Sequence, residues 1–265
     1  MAHTLFENVV LSDKVNDILT TSVDLKNYMT VDTSMTETAG MKKTINVYTP
    51  SGKVEDLEMG AGNTEEITVS FTPESYEVKT TQGKFQYYDE QAMQDPNVVD
   101  VGLRGLTQTM VNDFTTKAIA EYGKATLQGT VADVNAITFD EIVDAIAKMN
   151  LEDEAGLFML INPAQKAGLR KSLKEALSYS EGYVRTGYIG SVAGVPVIVS
   201  KAVPEDAAYL ATNDAVTLFI KKDTEVEPTR DADKRNNIIF IRKYAVVALT
   251  NKTKVVKLAA AAAAA

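Results

Sequence analysis

The hydrophobic and polar positions of this chain change rhythm along its length. Residues 1–43 scatter Leu5, Phe6, Val9, Val10 and Leu11 among Thr, Ser and Asp, with too little continuous periodicity for a private core. They read as an arm lying across something else, or as a surface-packed N-terminal segment. From Ile45 to Tyr88 the pattern alternates: Ile45 and Val47; Ile67, Val69 and Phe71; Tyr76, Val78 and Thr80; Phe85 and Tyr87. A period of two predicts one-sided strands. Between the first two runs, Pro50 to Glu66 is rich in glycine and acid and poor in large apolar residues, which predicts a long hairpin with a solvent-exposed tip. An isolated two-stranded ribbon is marginal in water, so this hairpin is expected to lean on a neighbouring subunit.

The rhythm then becomes helical. Asp95 is a good N-cap and Pro96 a good first helical residue, and Val99, Leu103, Leu106, Met110, Phe114, Ala118 and Tyr122 follow at steps of three or four before Gly123, a suitable C-cap. A helix over 96–122 would run roughly 40 Å and act as a spine. Thr138-Phe-Asp-Glu141 is a capping box for a short helix with Ile142, Val143, Ile146 and Met149 on its apolar face. Leu157–Ile161 predicts a strand, and Asn162-Pro163 starts another helix through Leu169 and Leu173. Strand candidates Val195–Val199 and Thr217–Ile220 flank Pro204 and the short apolar run Ala207–Leu210. Helices and strands thus alternate over roughly residues 136–224, as in a sheet with helices against it. Long strands at Asn237–Leu249 and Thr253–Leu258 close the chain, giving an α+β class.

Composition then narrows the chemistry. The 265 residues include no cysteine, which removes disulfides, thiolate nucleophiles and cysteine-ligated metal sites and is compatible with a reducing cytoplasm. His3 is the only histidine and stands near the N-terminus, so a Ser-His-Asp triad or a multi-histidine metal site has no material. A net charge of −9 argues against general binding of the phosphate backbone. No apolar run approaches a membrane span and no signal peptide opens the chain, so a soluble, non-secreted protein is expected. The alanines of 259–265 are low complexity and are set aside from the functional reading.

None of the polar clusters reads as an active site, so no catalytic, cofactor-binding or metal-ligating residue is assigned. Asp140, Glu141 and Asp144 share one short helix, where first-turn acids complement the helix dipole. Glu55, Asp56, Glu58, Glu65 and Glu66 make the hairpin loop acidic, without the ligand rhythm of a calcium site. Gly182, Gly187, Gly190 and Gly194 match neither phosphate-loop spacing nor the dinucleotide fingerprint, which favours a flexible loop and turn. Tyr179, Tyr183 and Tyr188 are candidates for an interface.

The order of elements, from arm through acidic hairpin, spine helix and mixed domain to closing strands, resembles the major capsid proteins of tailed double-stranded DNA bacteriophages of the Hong Kong 97 type. The local likenesses are Gly190-Ser-Val-Ala-Gly-Val-Pro-Val-Ile-Val-Ser200 leading to Val203-Pro204, and Arg235 to Leu249 continuing through Val255-Val256-Lys257. The first looks like the family's strand entry, the second like its closing segment. The resemblance implies an N-terminal arm at 1–43, an extended loop at 44–88, a peripheral domain from 89–129 and 232–258, and an axial domain over 130–231. It further implies hexamers and pentamers of an icosahedral shell, assembled in the host bacterial cytoplasm around DNA that is enclosed without sequence-specific binding.

Portal, decoration and scaffolding proteins would be the other partners. About 43 residues precede the hairpin, which favours a separately encoded scaffold. Some members weld their shells by joining an extended-loop lysine to an asparagine with help from a glutamate. Here Arg235, Arg242 and Lys243 occupy the matching region with no glutamate at the corresponding position, so crosslinking is not expected. The alternatives are an encapsulin-like nanocompartment shell, which shares the fold, and a soluble ligand-binding or hydrolytic protein using the mixed domain.

Overall fold

The computed structural model describes residues 24–173 and 190–260. In chain order these form β1 (Thr30–Asp32), β2 (Lys42–Ser51), β3 (Thr68–Glu77), β4 (Lys79–Tyr88), α1 (Asp89–Gln94), α2 (Val98–Tyr122), β5 (Leu127–Val131), α3 (Phe139–Met149), β6 (Leu157–Ile161) and α4 (Pro163–Ser172). After residue 189 come β7 (Ser191–Val192), β8 (Val195–Val199), β9 (Ala207–Thr212), β10 (Val216–Asp231), β11 (Asn236–Leu249) and β12 (Val255–Ala260). β2 and β3 pair only with each other; a second sheet has the order β1-β10-β11-β4, and a third the order β5-β12-β9-β6-β8-β7.

The central strands of the third sheet, β6 and β9, are buried on both faces, and β6 shows how. Phe158 and Leu160 point into a core shared with Phe114, Ala118, Ile119 and Tyr122 of α2, while Leu157, Met159 and Ile161 point into a core shared with α3 and α4. A strand covered on two sides needs a continuous apolar run rather than alternation, which is why Leu157–Ile161 contains no polar residue. Helices α3 and α4 start at side-chain caps. Thr138 and Glu141 form the capping box of α3, and Asn162, with Gln165, forms that of α4, whose first residue is Pro163.

Helix α2 spans 25 residues, about 37 Å at 1.5 Å per residue. Its second half packs on the third sheet, and its first half packs Leu103, Met110 and Val111 on Val226, Ile239 and Ile241 of β10 and β11. The helix therefore ties the two large sheets together. It sits close to β4: a Cβ on Gly102 would overlap the Phe85 ring, and one on Gly83 would overlap Leu106.

Several expectations are corrected. The spine helix starts at Val98 with Asn97 as N-cap, not at Pro96 after Asp95. Asp95 is extended because it precedes proline, its N–H ends α1 on the Gln91 carbonyl, and the chain tightens so that Val98 N–H reaches Asp95 O at 3.2 Å. Strand β4, expected inside the hairpin at 44–88, pairs instead with β11, from Tyr88 opposite Asn236 to Lys79 opposite Ala245. The candidate Thr217–Ile220 is the start of a 16-residue strand paired with β11 over its length. An axial boundary at 231 would thus fall in the turn of one continuous hairpin, and a boundary between 129 and 130 would fall inside β5.

The run Ala207–Leu210 belongs to β9, a central and wholly buried strand. Ala259 and Ala260, set aside with the alanine tail, complete β12 opposite Thr130 and Val131. Ala193 and Gly194 both have positive φ and join β7 to β8, a two-residue turn whose twist matches its strands; this is the structural role of the described end of the glycine-rich stretch. His3, Gly182, Gly187, Tyr179, Tyr183, Tyr188 and residues 261–265 lie outside the described residues.

Candidate assembly surfaces

The β2–β3 hairpin carries apolar side chains that its own chain leaves in solvent. Antiparallel partners share a face, so the register sorts them. Lys42, Thr44, Asn46 and Tyr48 lie opposite Glu77, Ser75, Pro73 and Phe71, and Pro50 lies opposite Val69. On this face Tyr48 and Phe71 are each 62 % exposed, with ring centroids 6.2 Å apart, and Val69 stands beside them. The other face carries Ile45 and Val47 near the root and, further out, Ser51 hydrogen-bonded to Thr68 at 2.8 Å. The alternating sets Ile45–Val47 and Val69–Phe71 fall on opposite faces, and neither strand is strictly one-sided: Tyr48 of β2 joins Phe71, and Tyr76 of β3 lies on the face of Ile45. The loop between the strands leaves Val54, Leu57 and Met59 exposed among its acids. At the tip the Glu55 carboxylate accepts from the Thr64 hydroxyl and, at 2.7 Å, from the Thr64 N–H. These bonds, the hydroxyl's first, hold the Glu55 carboxyl below its ordinary range.

The root of the hairpin is built differently. Tyr76 stacks on Phe219 at 5.6 Å, inside a small cluster with Met35, Val78 and Ala248. Its hydroxyl donates to Glu74 at 2.7 Å and reaches the Leu249 carbonyl at 3.4 Å. Burial first, and then Glu74, push the Tyr76 phenol up. Glu74 also pairs with Lys252, and Lys43 on the other strand donates to Ser34 at 2.7 Å and lies 3.8 Å from Asp32. Lys221 donates to the carbonyls of Met35 and Thr38 and fixes the loop that leads into β2. The hydrogen bond from Lys252, then that from Tyr76, holds the Glu74 carboxyl below its ordinary value.

A depressed folded-state value means that the contribution of Glu74 is present at neutral pH and is lost as pH falls through the carboxylate range. Glu74→Gln is accordingly expected to cost at most about 1 kcal/mol at neutral pH, because the pair is partly exposed. The gap in thermal midpoint between the two proteins should close as the pH is lowered; a gap that stays constant with pH would show that Glu74 acts by packing alone.

A second polar cluster ties α1 to the β10–β11 turn. Asp89 accepts from Arg230 at 2.7 Å and from Asn237 at 2.6 Å, its N–H donates to Arg235 O, and Arg235 pairs with Glu90 at 3.1 Å. The Asn237 bond first, and then Arg230, hold the Asp89 carboxyl low. Arg242 pairs with Glu227 at 2.7 Å and donates to Gln82 at 2.7 Å, and Lys243 stands 3.6 Å from Asp223. All three basic residues of the closing segment therefore face carboxylates within their own chain.

Of the acids singled out on α3, Asp140 and Glu141 stand in its first turn. Glu141 closes the cap on Thr138 and also accepts from Ala132 N–H at 2.7 Å. Burial raises its carboxyl, and the backbone bonds from Thr138 and Ala132 more than offset that. No group of three or more metal-ligating side chains is present among the described residues, and no helix among them is long and apolar enough to cross a membrane. A cleft of about 170 Å³ between α2 and β8 is lined by residues including Leu25, Gln108, Asn112, Ile198 and Ser200, and none of its lining residues is a carboxylate or a base.

Two exposed apolar residues lie outside the pattern that predicted the spine. Met93, at the end of α1, is 82 % exposed, and Val101, in the first turns of α2, is 66 % exposed. Val101 falls off the Val99–Leu103–Leu106 stripe, and an apolar side chain on the outer face of an amphipathic helix was the available signal.

The chain is 25 % identical over 168 residues to the major capsid protein of Staphylococcus phage phiMR11, a match covering 62 % of this chain and 60 % of that protein. It thus matches less than two thirds of the length of this curated relative. Among solved structures, the fold matches the capsid of a native GTA particle at a TM-score of 0.70 with 12 % identity, covering 91 % of both chains. It matches a Mycobacterium phage Che8 chain at 0.65 with 15 % identity, covering 89 % of this chain and 90 % of that one. A virus-like particle from Pyrococcus furiosus matches at 0.65 with 14 % identity, covering 94 % and 98 %. The fold is the Hong Kong 97-type α+β capsid fold. Residues 72–258 match the profile of the family described as phage capsid protein, and the chain belongs to that family.

Proposed function

We propose that this chain is a major capsid protein that self-assembles through hexamers and pentamers into an icosahedral shell around double-stranded phage DNA. The observation that carries the reading is the β2–β3 hairpin, a ribbon with apolar side chains on both faces that its own chain does not cover. A ribbon of this kind is stabilised by what it lies on, and many weak contacts repeated in a closed shell give cooperative strength. In this reading the residues up to about 43 are the arm and the hairpin is the extended loop. Helix α2 with the β1-β10-β11-β4 sheet is the peripheral domain, and the third sheet with α3 and α4 is the axial domain.

A net charge of −9 suits a container whose wall leaves packaged DNA mobile. Assembly in the host cytoplasm with a separate scaffold, a portal and decoration proteins belongs to the same proposal. A second reading is a nanocompartment shell that encloses protein cargo, built on the same fold. Expression with and without a candidate scaffold, followed by negative-stain electron microscopy, tests the shell. Closed particles or capsomer rings are the expected result, and a monodisperse monomer under both conditions would overturn it. Protein cargo inside particles purified from the native source, in place of DNA, would select the second reading.

A further inference from the structure

Charge is balanced differently in different parts of this chain. Along α2 and in the β1-β10-β11-β4 sheet, many basic side chains meet carboxylates of the same chain, as Arg104 meets Asp100, Lys117 meets Asp113 and Arg242 meets Glu227. The two helices on the third sheet instead carry opposite charge. Helix α4 contains Lys166, Arg170 and Lys171 and no acid, whereas α3 contains Asp140, Glu141 and Asp144 and one base, Lys148. Among the described residues, Lys166 forms no ion pair, and neither does Asp140 or Asp144.

Neighbouring contacts fix where these charges point. Helix α3 lies over β5, an edge strand of the sheet, where Lys148 donates to Gln128 O and Glu141 accepts from Ala132 N–H just beyond the strand. Asp144 stands three residues after Glu141 and four before Lys148, so it shares their flank, and Asp140 lies one turn before it. Helix α4 packs on the 3-10 turn Val134–Ala136, with Gly168 against the carbonyl of Asn135. Lys166 and Arg170 are two residues to either side of Gly168, a rotation of about 200°, and so stand on the flank of α4 turned away from that turn. Each charged flank borders an exposed apolar surface: Phe139 and Val143 on α3, 46 % and 41 % exposed, and Ala167 on α4.

Both helices cover one face of the sheet, with the acidic flank at its β5 edge and the basic flank turned from the segment that leads into α3. The two flanks therefore point apart and leave each other unmatched within one chain. A second copy set beside the first brings a basic flank to an acidic one, and every copy offers one of each. Such a contact is heterologous, the kind that closes into rings, and opposite fields select it because like flanks repel. Resting on the capsid reading above, we infer that the Lys166–Arg170 flank of α4 in one copy is seated against the Asp140–Asp144 flank of α3 in the next copy around a capsomer. This pairing sets the head-to-tail order of the ring.

Charge reversal tests it. Lys166→Glu with Arg170→Glu turns the basic flank acidic, and Asp140→Lys with Asp144→Lys turns the acidic flank basic. Each double variant alone should give at least about tenfold fewer rings or particles in negative-stain electron microscopy than the unsubstituted chain, because its two flanks now repel. An equimolar mixture of the two variants has opposite flanks at every contact only when they alternate, so it should recover six-membered rings and not five-membered ones. The chain with all four substitutions should recover both. Circular dichroism checks that each variant is folded, and Lys166→Glu or Asp144→Lys alone replaces a double change that unfolds. Folded single-flank variants that assemble like the parent would overturn the pairing while leaving the shell intact, and so would a mixture or a four-substituted chain that assembles no better than they do. An unsubstituted chain that forms no particles would overturn the capsid reading and the pairing with it.

Discussion

Replacing Gly168 by alanine is expected to destabilise the unassembled subunit by about 3 kcal/mol, a fall of roughly 10 °C in thermal midpoint. Gly168 lies within α4, where helix propensity alone predicts the opposite sign, a gain of about 1 kcal/mol. The steric term decides. A Cβ at this position would overlap the carbonyl oxygen of Asn135 and stand 2.6 Å from its carbonyl carbon. The obstacle is backbone rather than the end of a flexible side chain. It belongs to a 3-10 turn, Val134–Ala136, that is fixed by the Asp133 side chain accepting from Asn135 N–H at 2.8 Å. Ser172 of the same helix donates to Ile137 O at 2.8 Å, so α4 cannot back away without losing a second contact. Thermal denaturation of Gly168→Ala beside Ala167→Gly, an exposed position in the same helix, separates the terms. A Gly168→Ala protein as stable as the parent would show that the two segments can part at little cost.

Such a contact illustrates which parts of this fold the sequence makes legible. Helix α2 is announced by local spacing, because its buried residues recur every three or four positions over many turns. The caps at Thr138 and Asn162 are equally local, each signalled within four residues. Pairing is not local. Strand β4 alternates visibly, but its partner lies more than 140 residues downstream, and nothing in the alternation of 79–88 names it.

β9 reads from the sequence only as a short apolar run, because Ala207-Ala-Tyr-Leu-Ala-Thr212 is poor in the branched and aromatic residues that mark strands. It earns its conformation from burial in the middle of the sheet. The outer half of β10 is missed for the opposite reason: Lys221, Lys222, Asp223, Glu225 and Glu227 are charged, and register shifts between Ile220 and Glu225 break the alternation. Gly168 sits in a helical pattern with no turn to explain it, which is a usable signal for close approach, but its neighbour at Asn135 is known only from the structure. The assembly surface was partly legible. An acidic hairpin too thin to stand alone could be read from the sequence. The facing of Tyr48 to Phe71 needs the strand register, and Met93 with Val101 needs the exposed side of a helix to be known.

Gln165→Glu should be nearly as damaging as the glycine change, by about 3 kcal/mol at neutral pH, and its pH dependence should carry the sign of a buried carboxyl. Gln165 is 1 % exposed and uses its amide in both directions. The carbonyl oxygen accepts from Asn162 N–H at 2.8 Å and closes the cap of α4. The NH₂ group lies within 3.3 Å of Pro204 O, 3.1 Å of Glu205 O and 3.0 Å of Ala207 O. Beside it Asn162 donates to Val203 O at 2.7 Å and accepts from Ala164 N–H. Together the two amides reach the carbonyls of Val203, Pro204, Glu205 and Ala207, along a connection that has no repetitive structure of its own before β9.

Glutamate keeps the acceptor and replaces the donor with a second oxygen aimed at three carbonyls, and each buried group left unsatisfied costs about 1–3 kcal/mol. Desolvation and the carbonyl dipoles both favour the protonated acid, so the folded-state value of this carboxyl rises above its unfolded one. Stability linked to that proton is present below the unfolded value and is lost as pH rises through the folded one. The variant should therefore lie closest to the parent in acid and fall progressively behind it toward neutral pH; the gap closes in acid as for Glu74→Gln, but here because the variant gains stability and there because the parent loses it. Gln165→Leu, which has no proton to gain, should show a deficit that does not vary with pH. Thermal midpoints of the three proteins across the acid range measure this directly, and a Gln165→Glu deficit as flat as that of the leucine variant would mean that the carbonyls of 204–207 find water or rearrange when their donor is removed.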